Sequence, residues 1–142
     1  MTPASAVAAA VTFVWLGMVL AISFLETPLK FRAPDVTLRI GLGIGRIVFR
    51  ALNIAEGVLA AALVAAIVAA VSPSDGVVAA ASIAVLLLVI QVAIVRPRLS
   101  RRSDRILAGE SAPRSRSHYV YVVLEVLKVA ALAVGGALLF ST

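Results

Sequence analysis

Four apolar runs, at roughly 5–25, 47–71, 77–95 and 119–140, occupy most of the 142-residue chain. Each approaches the ~20 residues that an α-helix needs to cross the hydrocarbon of a bilayer. At 62% apolar and 14% charged residues the chain lies far from the about 45–50% and about 25% of soluble domains, so a water-facing fold lacks the polar surface it requires. The expected fold is all-α, a polytopic four-transmembrane-helix up-down bundle forming a single membrane domain over 1–142. Its helices are expected at about 4–27, 36–71 with the membrane part from about 47, 77–96 and 118–140, with an Arg-rich loop at 97–117.

The absence of cysteine excludes disulfides, thiolate metal sites and thiol redox chemistry, and a single histidine excludes bis-histidine haem within one chain. No cofactor is expected. The first run carries no Lys or Arg before it, unlike a secretory signal peptide, and is read as a retained helix. Pro28 disfavours helical geometry in the residue before it, which places the end of that helix near Thr27. In the same way Arg96-Pro97-Arg98 marks the end of the third. Asp35 is the expected cap of the second helix.

Net charge is +6, and twelve of the thirteen Lys and Arg residues lie in or beside the first and third connections. None lies in the SPSDG turn at 72–76 or at either terminus. The positive-inside bias then puts 28–46 and 96–117 in the cytoplasm and both termini outside, in a cell (inner or plasma) membrane. Seven arginines in 96–117 suit anionic lipid headgroups, and nucleic acid is not an expected partner because this charge sits beside membrane spans. The Ser, Pro and Gly content of that loop argues against packed structure.

Polar residues within the spans are few and periodic. Arg39, Arg46, Arg50 and Asn53 recur at spacings of 7, 4 and 3, which at ~100° per residue keeps them on one face, with Glu56 a turn further. His118, Tyr121, Glu125 and Lys128 share a face of the fourth helix, Gln91 is the strongly polar residue of the third, and Ser23 and Glu26 close the first. In the expected topology all fall in the cytoplasmic half. A charge near the bilayer centre costs on the order of 2.5–3.5 kcal/mol on insertion scales, so Glu56, Glu125 and Lys128 should face one another. The expected site is a cytoplasm-facing pocket of Glu26, Arg50, Asn53, Glu56, Gln91, His118, Tyr121, Glu125 and Lys128, with Lys30 and Arg46 at its mouth. The bland alternative is a satisfied network that fixes helix register and binds nothing. Two carboxylates and one His support a divalent cation only weakly.

Gly41, Gly43 and Gly45 form G-x-G-x-G, which lacks the preceding strand of a dinucleotide fingerprint. Gly41 with Gly45, and Ala131 with Gly135, better suit close helix contact.

Trp15-Leu16-Gly17, Phe24, Pro28, Phe31, Pro34, Gly45, Phe49, Asn53, Pro97-Arg98 and His118 together give the chain a resemblance to a known group. It resembles the bacterial four-helix membrane proteins of unknown function related to eukaryotic transmembrane protein 205. The resemblance implies a four-helix bundle and no settled activity, and the matching positions are Pro28, Phe31, Asn53, Pro97 and His118. Lys30, Glu56, Glu125 and Lys128 lie outside that pattern.

The expected function is binding or transport of an ion, proton or small solute, with Glu56 and Glu125 as binding groups. Four helices enclose little space, so a homo-oligomer or a larger membrane complex is expected. The competing reading is an accessory or assembly subunit with a structural polar network. An enzyme acting on lipid or quinone ranks last, because no nucleophile or cofactor motif is present.

Overall fold

In a computed structural model, which describes residues 1–111 and 116–141, the chain forms four long helices. They are α1 (Pro3–Lys30), α2 (Leu38–Ala69), α3 (Asp75–Leu107) and α4 (Arg116–Phe140), each long and apolar enough to cross a membrane. The protein is an all-α multi-pass bundle. α1 packs extensively on α2 and α4, α4 packs on α3, and α2 meets α3 only lightly. Both termini and the turn after α2 lie at one end, and the two basic connections at the other.

Local chemistry starts the first three helices. Thr2 Oγ1 accepts from the Ser5 amide at 3.1 Å with Pro3 in the first turn, Thr37 Oγ1 from Ile40 at 3.2 Å, and Ser74 Oγ from Val77 at 3.2 Å. Each satisfies a backbone donor that an unfinished helix end leaves open. Thr37, and not the expected Asp35, is therefore the cap of α2, which runs from 38 to 69 rather than 36 to 71. Asp35 adopts a left-handed conformation (φ 65°), which a short polar residue tolerates, and turns the chain just before the cap.

Pro28 and Pro97 do not end their helices. A π-helical stretch precedes each proline, Leu20–Glu26 in α1 and Gln91–Val95 in α3. The Thr27 amide donates to Ile22 O and the Arg96 amide to Gln91 O, five residues back in both cases. The wider turn absorbs the missing proline donor and ring clash within a longer hydrogen-bonded loop. α1 thus continues to Lys30. α3 projects past the expected end at residue 96 as an Arg-rich helical extension to Leu107. The loop expected over 97–117 is correspondingly shorter, and its residues 112–115 lie outside the described residues. Gly109 closes the extension with φ 88°, where the Glu110 amide reaches back to Arg105 O at 2.9 Å.

The half of the bundle near the termini is a small-residue core. Ala8, Ala9, Ala60, Ala66, Ala80 and Ala84 are buried with Leu63, Leu132 and Leu139. Here Gly135 meets Ala80 so closely that an added Cβ would lie 3.1 Å from the alanine methyl. Close approach of this kind replaces hydrophobic driving force in a lipid solvent. Thr12 is buried and donates to its own helix at Ala8 O, 2.7 Å away.

Candidate functional site

Beneath the basic end, all four helices contribute to one buried polar network centred on Lys128. Its Nζ lies 2.5 Å from Glu56 Oε2 on α2, 2.6 Å from Glu125 Oε1 one turn earlier on α4, and 2.7 Å from Gln91 Oε1 on α3. Three ammonium donors meet three acceptors, so the cation is saturated. Trp15 Nε1 on α1 donates to Glu56 Oε2 at 2.8 Å, and Ser23 Oγ to Glu125 Oε2 at 2.9 Å. Lys128, Glu56, Glu125, Gln91 and Trp15 are all shut off from solvent.

The π turns help to assemble this cluster. Ser23 lies inside the first and Gln91 begins the second. A π turn takes more residues per revolution than an α turn, so it re-aims side chains relative to the helix on either side. Gln91 Nε2 reaches Tyr121 O at 3.4 Å and Glu125 Oε1 at 3.5 Å, tying α3 to α4. Glu56 Oε1 is buried without a hydrogen-bond partner among the described residues.

Above the network, toward the basic end, is a cleft of about 850 Å³. Of the expected pocket residues, Arg50, Asn53, His118, Tyr121 and Glu125 line it, as do Lys30 and Arg46. Glu56, Gln91 and Lys128 do not line it and are sealed below. Glu26 is also set apart, paired at 3.5 Å with Lys30 one turn on. The expected single pocket is thus divided into a closed ionic layer and an open basic cleft. Glu125, whose carboxylate joins the network, forms part of the floor.

Lys30 is well covered, with its ammonium 5.6 Å from the centre of the Phe31 ring. Phe31 in turn packs where Gly41 leaves room, since a Cβ there would come within 2.1 Å of the ring. The Gly41 position therefore serves contact with the first connection. At the rim, Arg46 Nη1 donates to Asp104 Oδ1 at 2.5 Å, fastening α2 to the extension of α3. Among the described residues no group of three or more His, Asp or Glu is placed to hold a metal ion.

Two contributors escaped sequence reasoning. Trp15 has no place in the expected pocket, although a buried indole N–H needs an acceptor and thereby signals a polar neighbour. Arg96, at the expected end of the third helix, has no place in the expected pocket. Its guanidinium lies 4.8 Å from the centre of the Phe49 ring and 5.6 Å from that of Tyr121, and its Nη2 is buried without an acceptor among the described residues. Phe49 and Tyr121 themselves meet edge to face at 6.0 Å.

Comparisons with protein-family models, with curated proteins and with solved structures find no match to this chain.

Proposed function

We propose that this is a small solute-binding membrane protein of the transport type, whose cleft faces the cytoplasm and takes a small anion. One observation carries the reading: Lys30, Arg46, Arg50 and Arg96 line the cleft, while Glu125, the one carboxylate lining it among the described residues, already bonds Lys128. A cation or proton held between Glu56 and Glu125 would have to displace the Lys128 ammonium, which already fills that position. The binding role accordingly moves from the two carboxylates to the basic rim. Lys128 with its partners forms a fixed floor.

The orientation rests on the positive-inside bias, which sets the basic end in the cytoplasm and both termini outside a cell membrane. Kinship with the bacterial relatives of transmembrane protein 205 belongs to the same proposal. Its support is that the matching residues gather at one end: Phe31, Asn53 and His118 line the cleft, and Pro28 and Pro97 follow the two π stretches. The accessory-subunit reading also has an observation in its favour, since a network so nearly closed on itself is well suited to fixing register.

Titration calorimetry of the purified protein against a panel of phosphate, carboxylate and sulfonate compounds separates the two. Saturable binding that Arg50→Gln weakens, followed by flux of the same anion in liposomes, is the expected result. Absence of binding at millimolar concentration, together with co-purification of one fixed membrane partner, would establish the accessory role.

A further inference from the structure

The cleft opens sideways as well as toward the basic end. Ile47 and Ile54, two turns apart on α2, both line it, yet they are 73% and 63% exposed. Val92 of α3 and Val122 of α4 border it too and are also exposed. On a membrane-spanning bundle such exposed aliphatic side chains face lipid tails. A site for a freely dissolved anion needs an aqueous entrance and gains nothing from an apolar side door.

Along α2, Arg46 and Arg50 lie nearer the basic end, and Ile54 lies about 6 Å deeper than Arg50 at ~1.5 Å per residue. Two guanidinium groups retain free donors: Arg50 makes no ion pair among the described residues, and Arg96 Nη2 has no acceptor. A guanidinium presents a planar fork that matches two phosphate oxygens. A cavity near 850 Å³ suits a ligand of drug size, and a lone phosphate ion would leave most of it empty.

We propose that the occupant is an anionic amphiphile, a phosphate group on an apolar chain, which enters from the bilayer. The phosphate bonds Arg50 and Arg96, and the chain lies along Ile54, Val92 and Val122. This rests on the reading of the cleft as an anion site.

The test uses the full-length protein in a nonionic detergent with three probes: dihexanoyl phosphatidic acid, sn-glycerol 3-phosphate and dihexanoylglycerol. Binding is followed by native mass spectrometry and by thermal shift. Phosphatidic acid should bind at least about tenfold tighter than either part alone, and Arg50→Gln or Arg96→Gln should each weaken it about tenfold. Arg50 is exposed, so Arg50→Gln should keep the Tm of the unliganded protein. Ile54→Ser should weaken phosphatidic acid and leave glycerol phosphate unchanged. Equal affinity for phosphatidic acid and glycerol phosphate, with Ile54→Ser silent, would leave an anion site standing and overturn the amphiphile. Equal affinity for dihexanoylglycerol would reduce the cleft to an apolar groove, and binding of none of the three would overturn both readings.

Discussion

The Lys128 ammonium lies 2.5 Å from Glu56 Oε2, a residue 72 positions away on a non-sequential helix, and it binds Glu125 of its own helix at 2.6 Å. One buried cation therefore answers two buried carboxylates. Removing it strands both, and breaking a buried ion pair in this way costs about 3–5 kcal/mol. Lys128→Met should lower stability by at least that much in thermal or denaturant unfolding in detergent. Adding Glu125→Gln should restore only part, because Glu56 still lacks its ammonium partner. The triple variant with Glu56→Gln should recover most of the loss, and a double variant as stable as the triple would show that Glu56 does not depend on Lys128.

The hydrogen bond of Trp15 can be separated from its packing by comparing two backgrounds. Trp15→Phe removes the Nε1 donor to Glu56, and a hydrogen bond to a charged group contributes about 1.5–3 kcal/mol. The loss should be smaller when Glu56→Gln is already present, because a neutral amide oxygen accepts the indole hydrogen more weakly than a carboxylate. Equal losses in both backgrounds would assign Trp15 to packing alone.

The glycines divide by what surrounds them. Gly57 has open space where a Cβ would go, so Gly57→Ala should raise stability by about 0.5–1 kcal/mol through backbone entropy. Gly135 faces Ala80 at close range, and Gly135→Leu should cost at least about 1–3 kcal/mol by forcing α3 from α4. Thermal unfolding of the two variants should move in opposite directions; a shared direction would contradict the α3–α4 packing.

Orientation is open to labelling because the chain has no cysteine. With the basic end in the cytoplasm, a membrane-impermeant thiol reagent on intact cells should label Ser72→Cys and spare Ser111→Cys. Both positions are exposed and lie at opposite ends of the bundle. The reverse pattern would turn the cleft outward.

Hydrophobic runs made the four spans legible, since no other arrangement accommodates so much apolar sequence. The face each helix turns inward was harder to read. Along α2 the stripe from Arg46 to Asn53 pointed toward the cleft, but α1 and α3 are apolar nearly all round, so no periodicity singled out Trp15. Pro28 and Pro97 were misread because a proline signals a break only in α register. Nothing in LAISFLE or QVAIV announces a π turn. That same local widening explains Arg96: an α-helix would set it about 140° away from Gln91, five positions earlier, whereas a π turn at roughly 82° per residue brings the two within about 50°.

The pairing of Glu56 with Lys128 has a consequence for biosynthesis. Ribosomes make Glu56 long before Lys128, and α2 can reach the translocon while its counter-ion is still unwritten. Glu125 and Lys128 emerge together, and as neighbours on one helix they enter lipid as a neutral couple. Glu56 has no such escort, except that Trp15, already synthesised, can offer its indole hydrogen. Of the described side chains that bond Glu56, Trp15 precedes it in the chain and Lys128 follows it, so the indole contact can form before the fourth helix is made.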